Sequence, residues 1–569
     1  MRSKRILSFV ALVIVTVICF GMLSACASND IGGYKGFVKV NGTKLYDEEG
    51  NEFLIKSMGM GNDVWANPSD DSSIRGVHHT AESYVELAEW GFNSVRFYLN
   101  YGLFEDDENP YVYKEVAWKW LDDNVQWAKK AGIRIVFNMH VPQGGFQSLG
   151  EGTALWTEEE NMNRLVALWK AIAERYADEP TVLGYALINE PMVATDDVTK
   201  ACDILRDAYQ RITDEIRTVD TNHIIFVERL YSVKDTNTDT EIWGVTNDTY
   251  RYTILNDDNV VYEYHNYEPF EYTHQGAGWT YTENYDYSYP TVDTVVATNP
   301  KFRKATKEGV AKNDVEGWQY VESELMTYDD EYYNVLGIGF QAKGVGDNGV
   351  AYIDNLVLKE YDENGEFIRD IYTANFEDSL WGKLEMWSAN ESGEGGLALN
   401  EGYDSRYAYR ISGTKYNAYV SYSTFKPTMG HKYQATGYIR VENVDANAAV
   451  AACAEFFKAE SVSEMNKESM RYSVADEAAH SEELGVPIYC GEVGAIYSCF
   501  MRRGGEIWAE DMLSLYLEYG IGFNYHCYSG GTFGDPGFGV YQTYGLPGDD
   551  TRNEKLCNVF KKLLVEDKE

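Results

Sequence analysis

The stretch Val182-Leu-Gly-Tyr-Ala-Leu-Ile-Asn-Glu-Pro191 decides the fold that the sequence predicts. Its first part is a short apolar run, typical of a strand that is buried on both faces of a parallel sheet. Pro191 has no backbone N–H and cannot continue the hydrogen-bond ladder, so we expect the strand to end before it. The stretch therefore predicts a buried strand that leaves Asn189 and Glu190 at its carboxyl end.

A second segment of the same design is found near the C-terminus, Val486-Pro-Ile-Tyr-Cys-Gly-Glu-Val-Gly494. It is also a short apolar run that ends in a lone acid, Glu492. An acid at the end of an arbitrary strand is most often a solvated loop residue. Its recurrence in two matched segments instead favours a shared role for Glu190 and Glu492.

Around these segments, strand-like apolar runs alternate with amphipathic helical stripes. Predicted strands occupy residues 53–60, 94–99, 133–139, 182–188, 223–227, 260–264, 486–490 and 521–526. This alternation predicts an α/β fold with right-handed crossovers, the (β/α)8 or TIM barrel. In such a barrel the catalytic groups lie at the carboxyl ends of the strands.

The alternation is interrupted between the sixth and seventh predicted strands. Residues 295–455 are rich in Tyr, Asn, Asp and Gly and contain short alternating strands, a texture typical of an all-β sandwich. We therefore expect the barrel in two parts, residues 37–294 and 456–569, with the sandwich inserted between strands 6 and 7.

The N-terminus predicts export. Residues 1–25 have a basic start followed by an apolar run too short to span a membrane stably, as in a signal peptide. The ending Leu-Ser-Ala-Cys26 resembles a bacterial lipobox, so we expect lipid attachment at Cys26, a tether over residues 26–36 and a cell-surface lipoprotein. Ordinary signal cleavage is the alternative.

Charge and cysteine content exclude two classes of protein. The formal net charge of −41 argues against nucleic-acid binding, which needs basic patches, so the membrane contact expected is the lipid anchor alone. The cysteines outside the signal peptide form no CxxC pair, which disfavours a zinc site. Export permits disulfides, but the sequence does not pair the cysteines.

Polar side chains recur where the predicted barrel strands end. They are Arg96, His140, Asn189, Glu190, His265, Tyr267, Glu492 and His526. Each alone has a structural explanation, such as a salt bridge or a buried histidine. Together they place two acids in a ring of hydrogen-bonding groups, the arrangement that glycoside hydrolysis uses. One acid must then stay protonated to protonate the leaving oxygen, while the other must be ionised to attack the sugar.

The motifs resemble glycoside hydrolase family 5, the retaining β-glycanases, over roughly residues 37–270 and 470–565. They are Asn-Ser-Val-Arg96-Phe, Asn-Met-His140, Leu-Ile-Asn189-Glu190-Pro, His265-Asn-Tyr267 and Tyr-Cys-Gly-Glu492-Val-Gly. The resemblance implies that Glu190 is the general acid/base and Glu492 the nucleophile, with Arg96 and Tyr267 orienting Glu492. It implies sugar-holding roles for His140, Asn189 and His265. Retention implies carboxyl groups about 5–5.5 Å apart and no metal or cofactor in the active site.

One position departs from the family pattern. Members commonly carry a Trp at the end of strand 8 as a platform for the sugar, and His526 stands there instead. Tyr528 or Trp279 is predicted to supply the missing stacking face. Further aromatic residues in predicted loops and strand ends are candidate sugar subsites, or alternatively pin those loops to the barrel. These are Trp65, Tyr98, Tyr101 and Trp156.

The inserted module resembles a carbohydrate-binding module of the β-sandwich type. Its Ile-Asp-Asn-Leu356 segment precedes its Asn375-Phe-Glu-Asp segment, the reverse of the usual order, which suggests a circular permutation. Asp354 and Asp378 are candidates for a structural Ca²⁺ site, or are solvated turn acids. Glycan binding and simple spacing both remain open for this module.

The sequence thus predicts a retaining endo-β-1,4-glucanase, cellulase-like, that acts on β-glucan or a related polysaccharide. A β-mannanase or an exo-β-glucosidase of the same family is the first alternative, since no motif reports on the C2 hydroxyl or on how the cleft ends. A non-catalytic glycan-capture lipoprotein is the alternative from another class.

Overall fold

The structure is a computed structural model of the chain. It describes residues 33–61, 79–148, 150–243, 252–283, 285, 287–296, 309–377, 385–388, 393–413, 417–501, 503–529, 537–542 and 551–566. The predicted signal peptide, the lipidation site Cys26 and Trp65 lie outside these residues.

Eight parallel strands form a closed barrel, as predicted. They are β1 (Lys56–Met60), β2 (Ser94–Asn100), β3 (Arg134–Val141), β4 (Val182–Ala186), β5 (Ile224–Glu228), β6 (Val260–His265), β7 (Ile488–Val493) and β8 (Gly522–Tyr525). Each strand pairs with its neighbours in chain order, and β8 pairs with β1 to close the ring. The strands are buried on both faces, which explains their continuous apolar sequence.

Helices cover the outside of the barrel after most strands. They are α1 (Ala81–Glu89), α2 (Glu115–Ala131), α3 (Glu159–Tyr176), α4 (Val198–Arg217), α5 (Lys467–Leu484), α6 (Gly505–Tyr519) and α7 (Glu554–Leu564). The predicted stripe of α2 is buried against the barrel, and Gly132 ends that helix with φ of 71°. Among the described residues, no helix is both long enough and apolar enough to cross a membrane.

The connection between β5 and β6 contains a hairpin, Ser232–Asp235 with Thr240–Trp243, that pairs with the short strand Met192–Val193 after β4. At the other end of the barrel, the hairpin of Lys39–Asn41 and Lys44–Tyr46 packs Val38 and Leu45 against interior barrel side chains. This hairpin closes the amino-terminal end, so ligands reach the barrel from the carboxyl ends of its strands.

The sandwich lies between β6 and β7, as predicted, and has its own hydrophobic core. One sheet contains seven strands: Gln319–Glu322, Met326–Thr327, Val350–Tyr361, Phe367–Ala374, Glu394–Leu399, Tyr407–Ser412 and Lys432–Glu442. The other contains four: Val335–Lys343, Glu385–Ser388, Asn417–Phe425 and Ala449–Phe457. A two-stranded antiparallel ribbon, Thr291–Val296 with Ala459–Met465, leads out of the barrel and back into it.

Candidate active site

Glu492 lies at the carboxyl end of β7, where only 4% of the residue is exposed. Arg96 on β2 donates from Nη1 to Glu492 Oε1 at 2.9 Å, and the Tyr267 hydroxyl donates to Oε2 at 2.7 Å. Burial by itself would raise the pKa of Glu492, but the nearby imidazole of His265 and the Arg96 guanidinium hold it well below its usual range. The site therefore keeps Glu492 ionised and fixed in orientation.

Glu190 follows β4 and adopts a left-handed backbone conformation with φ of 42°. Its carboxylate Oε1 lies 2.9 Å from Nδ1 of His265, and 13% of its side chain is exposed. One carboxylate oxygen of Glu190, one of Glu492 and a ring nitrogen of His265 all lie within 4.8 Å of one another. The two acids, 302 positions apart in the chain, therefore face a common space.

Asn189 precedes Glu190 and is buried. Its Oδ1 accepts a hydrogen bond from Arg96 Nη2 at 2.9 Å, so the guanidinium contacts both Asn189 and Glu492. The Asn189 amide nitrogen makes no hydrogen bond to the part of the chain that the structure describes. A buried amide donor of this kind is available to a ligand oxygen.

His265 ends β6 and pairs in register with Glu492 across a β-bulge between Tyr264 and His265. Burial by itself would lower the pKa of His265, but the surrounding carboxylates raise it well above its usual value. The carboxyl groups around the ring are those of Glu228, Glu492, Glu190 and Glu263. Glu492 and Glu263, the two that are ion-paired with Arg96, lie 3.7 and 3.6 Å from the ring nitrogens. A cationic imidazole therefore lies between acids at the centre of the site.

Two of these acids, Glu228 and Glu263, are functional candidates that the sequence reasoning missed. Glu228 ends β5 and Glu263 lies within β6, and both are almost completely buried. Glu263 Oε1 is 2.7 Å from Arg96 Nη2. Two sequence signals could have found them: Glu228 ends a predicted barrel strand, like Glu190 and Glu492, and Glu263 is the single charge in an otherwise apolar strand.

Gly491 explains how Glu263 fits beneath the site. A Cβ placed on Gly491 would lie 1.7 Å from Glu263 Oε1, closer than any two non-bonded heavy atoms approach. The glycine before Glu492 is thus needed for space, because β6 and β7 bring the acid of one strand against the backbone of the other.

His526 lies beside Glu492, with Nδ1 at 3.9 Å from Oε2, and its Nδ1 is 2.8 Å from the Tyr98 hydroxyl. The Tyr98 ring also packs against His140, with ring centroids 4.6 Å apart. Burial lowers the pKa of His140 to about 3 and lowers the pKa of His526. Neutral imidazoles therefore line this side of the cleft, with Tyr98 holding them.

Residues 46–315 match the family model described as cellulase, glycosyl hydrolase family 5. The barrel is thus similar to glycosyl hydrolase family 5 over a little under half of the chain. Endoglucanase C of Acetivibrio thermocellus is 28% identical over 231 residues, which are 39% of this chain and 62% of that protein. The match thus spans about three fifths of that relative's length. Endoglucanase 3 of Fibrobacter succinogenes is 29% identical over 261 residues, covering 44% of this chain and 36% of that protein. A crystal structure of Thermotoga maritima Cel5A with mannotriose aligns with a TM-score of 0.45 at 16% identity, covering 89% of this chain and 97% of that one.

The aromatic candidates of the barrel occupy different environments. Tyr528 is fully buried, and its hydroxyl donates to Glu86 at 3.0 Å, so the ring has no free face for a sugar. The burial of Tyr528 means that the prediction of this residue as the replacement for the missing Trp is wrong. Trp279 is 50% exposed, which leaves its indole available to a ligand. Tyr101 and Trp156 are half-buried and hydrogen-bonded to Asp107 and Gln147.

Other predicted features lie away from the candidate active site. The carboxylate of Asp354 in the sandwich accepts hydrogen bonds from the Tyr403 N–H at 2.8 Å and the Ser405 hydroxyl at 2.6 Å, so it holds the 403–405 turn. Its predicted Ca²⁺ partner Asp378 lies outside the described residues. The cysteines at 202, 453, 490, 499, 527 and 557 are all buried.

Proposed function

We propose that this chain is a retaining endo-β-1,4-glucanase that hydrolyses β-linked polysaccharide by double displacement. The observation that carries the proposal is the pair Glu190 and Glu492, with carboxylate oxygens within 4.8 Å across one space. This separation supports a covalent intermediate, because an inverting enzyme needs roughly 6.5–9.5 Å between its carboxyl groups to fit a water molecule. The presence of both acids disfavours a non-catalytic glycan-capture protein.

In the first displacement, a Glu492 oxygen attacks the anomeric carbon and forms a glycosyl ester. The bond from that carbon to the leaving oxygen breaks, and the proton of Glu190 passes to the leaving oxygen. Arg96 and Tyr267 keep the attacking carboxylate in one orientation through their hydrogen bonds to its two oxygens. The free amide nitrogen of Asn189 supports its role as the donor to the sugar 2-hydroxyl.

In the second displacement, Glu190 accepts a proton from water as the water oxygen attacks the anomeric carbon. The ester bond to Glu492 breaks and the carboxylate is restored, so the configuration of the sugar is retained. His265 contacts both acids, with Nδ1 at 2.9 Å from Glu190 and 3.7 Å from Glu492. The positively charged imidazole thus stabilises whichever of the two acids is ionised at each step.

The choice of glucan rests on the matched relatives, which are named endoglucanases. The decisive measurement is reducing-sugar release from soluble β-1,4-glucan, glucomannan, β-mannan, xylan and laminarin, with product lengths followed over time. We expect fastest hydrolysis of β-1,4-glucan and early release of mixed oligomers. Fastest hydrolysis of mannan would contradict the glucanase assignment, and release of single sugars alone would contradict endo action.

The roles of the two acids have a separate test. Glu492→Ala should abolish hydrolysis, and added azide should restore turnover by entering the space of the lost carboxylate, giving a glycosyl azide of inverted configuration. Glu190→Ala should retain hydrolysis only of substrates with good leaving groups, and azide should there give a product of retained configuration. Hydrolysis by Glu492→Ala without azide would reject the mechanism.

We also propose that the protein is a cell-surface lipoprotein and that the sandwich holds it on its polysaccharide. The lipobox-like sequence ending in Cys26 supports the first proposal, and the separate sandwich core supports an independent module. Labelling with a radioactive fatty acid should mark the wild-type protein and not Cys26→Ala. Pull-down of the isolated sandwich on insoluble β-glucan tests the second proposal, and no retention would contradict it.

A further inference from the structure

The imidazole of His265 lies between two layers of acids. Towards the cleft, Nδ1 is 2.9 Å from Glu190 and 3.7 Å from Glu492. On the opposite side, Nε2 is 3.4 Å from Glu228 Oε2 and 3.6 Å from Glu263 Oε1. Four carboxylates therefore meet one histidine and one arginine in a region almost closed to solvent. The first layer belongs to the proposed reaction, and the second has no role in it so far.

Glu228 is the member of the second layer that contacts the acid/base directly. Its Oε2 accepts a hydrogen bond from the backbone N–H of Glu190 at 2.7 Å. That N–H belongs to a residue with φ of 42°, a conformation that non-glycine residues seldom adopt without support. One carboxyl group thus holds both the backbone of Glu190 and the far side of the His265 ring.

The environment of Glu228 contains charged and titratable groups from several elements. They are Arg96 on β2, Glu190 after β4, Tyr231 after β5, and Glu263 and His265 on β6. Tyr209 on α4 also reaches this residue, with its hydroxyl donating to the backbone carbonyl of Glu228 at 3.0 Å. Arg96 forms its ion pairs with Glu263 and Glu492, and its charge acts on Glu228 as the last of the effects on the pKa of that residue.

Charge balance then fixes the state of Glu228. Two cations, Arg96 and His265, are matched by two carboxylates, Glu263 and Glu492. The proposed first step requires a proton on Glu190, so an ionised Glu228 would be an unbalanced buried charge, which is costly. We propose that Glu228 is a positioning residue that stays protonated in the resting enzyme, holding Glu190 in place while keeping the buried cluster neutral. This inference deepens the proposed function and rests on it.

The net charge of the buried cluster, which consists of Arg96, His265 and the four glutamates around them, stays at zero through the first displacement. Glu492 loses its charge when it forms the glycosyl ester, and Glu190 gains one when its proton leaves with the aglycone. An ionised Glu228 would oppose that gain, because two negative charges would then lie side by side in a buried region. Burial raises the pKa of Glu228 to about 8, with Glu263 and Glu190 adding to the rise and His265 opposing it.

The direct test is the protonation of Glu228, which needs no turnover. The infrared difference spectrum of wild type minus Glu228→Gln should contain the carbonyl band of a protonated carboxylic acid at pH 6, and that band should fade as the pH rises through about 8. A carboxylate band at pH 6 would overturn the proposal. Because this readout is independent of hydrolysis, it separates failure of this inference from failure of the proposed enzyme activity.

Activity variants test the positioning role. Glu228→Gln is a neutral isostere that keeps an acceptor for the Glu190 N–H, so kcat/KM at pH 6 should stay within a factor of about three of wild type. In the pH profile of kcat/KM, the alkaline limb of this variant should stay where it is in wild type or move to higher pH. Glu228→Ala leaves that N–H unpaired, and kcat/KM should fall at least about tenfold. An alkaline limb that moves to lower pH in Glu228→Gln would show that the wild-type residue is ionised and would overturn the proposal.

Glu263→Gln is the matched control. Glu263 is buried in the same layer but bound to Arg96, so the same neutral substitution there breaks a buried ion pair. We expect kcat/KM to fall by at least about a hundredfold, which is the range for removing one partner of such a pair. Equal tolerance of Gln at both positions, or equal loss at both, would contradict the distinct state assigned to Glu228.

Discussion

At the scale of single residues, the surroundings of Glu492 and Glu190 give these two glutamates different contacts. Glu492 receives one hydrogen bond on each carboxylate oxygen, from Arg96 and from Tyr267. Glu190 is held through its backbone by Glu228 and through its side chain by His265. Placement in the barrel, and not residue type, therefore makes the two acids different, as the proposed mechanism requires.

Tyr267→Phe removes the hydrogen bond to Glu492 Oε2 and leaves the ring in place. A hydrogen bond to a charged group is worth about 1.5–3 kcal/mol, so kcat/KM should fall by roughly ten- to a hundredfold. Tyr281→Phe is the control, because Tyr281 is exposed and its hydroxyl donates to Glu271 at 3.2 Å. The measurement is kcat/KM of both variants on soluble β-glucan. An unchanged kcat/KM for Tyr267→Phe would contradict the orienting role of Tyr267.

The depressed pKa of Glu492 predicts the acid side of the pH profile. A carboxyl whose pKa is lower in the folded protein than in the unfolded chain stays ionised until the pH falls through the lower value. We therefore expect no inflection of kcat/KM near the usual Glu pKa of about 4.3. Near-ultraviolet circular dichroism at each pH excludes unfolding. An inflection at that pH in the folded enzyme would mean that the nucleophile is not perturbed.

At the scale of elements, α4 links the outside of the barrel to the site. Its Tyr209 hydroxyl donates to the carbonyl oxygen of Glu228, so the helix supports the residue that holds Glu190. The helix begins at an N-cap, where the Asp197 side chain accepts from the Lys200 N–H at 2.9 Å. Good capping fixes where the helix starts and hence where Tyr209 lies.

Asp197→Ala should destabilise the protein by about 1 kcal/mol, the usual cost of losing an N-cap acceptor. Asp196→Ala is the matched control, because Asp196 is an exposed acid next to the cap and does not occupy the cap position. Urea unfolding followed by circular dichroism measures both. Equal stability of the two variants would show that the cap contributes nothing.

At the scale of the whole molecule, two hydrophobic cores are joined by one antiparallel ribbon. Val296 pairs with Ala459 in that ribbon, so the two chain segments are adjacent at the point where the sandwich begins. The barrel core contains residues from both sides of the insertion, which means that the barrel can close only when the two parts meet.

Replacing residues 297–458 by Asn-Gly should give a folded barrel. A two-residue Asn-Gly turn suits antiparallel strands in this register. Because the hydrogen bonds that hold Glu190 and Glu492 come from described residues of the barrel, kcat/KM on soluble β-glucan should change by no more than a factor of about two. Failure of the shortened chain to fold, or loss of its activity on soluble substrate, would show that the sandwich forms part of the catalytic unit.

Much of the fold could be read from the sequence because it is set by local pattern. Apolar runs of strand length, helical stripes and Pro191 predicted the closed barrel and the point of insertion. The same strand ends predicted Glu190 and Glu492 as candidates, since the carboxyl ends of barrel strands share one edge. Strand boundaries shifted by a few residues because hydrogen-bond partners, and not composition, set them. Residues 54 and 55, for example, precede β1.

The tertiary structure alone decided how side chains far apart in sequence meet. Arg96 and Glu492 are 396 positions apart, and no local pattern states that they bond. Glu228 and Glu263 looked like ordinary strand residues, yet barrel closure buries them beneath His265. Tyr528 looked like a free aromatic face, yet its hydroxyl is bound to Glu86 and its ring is buried. Sequence determines which residues reach the barrel's edge, whereas closure of the ring decides which of them lie close enough to interact, because Coulomb interaction and burial depend on distances in space.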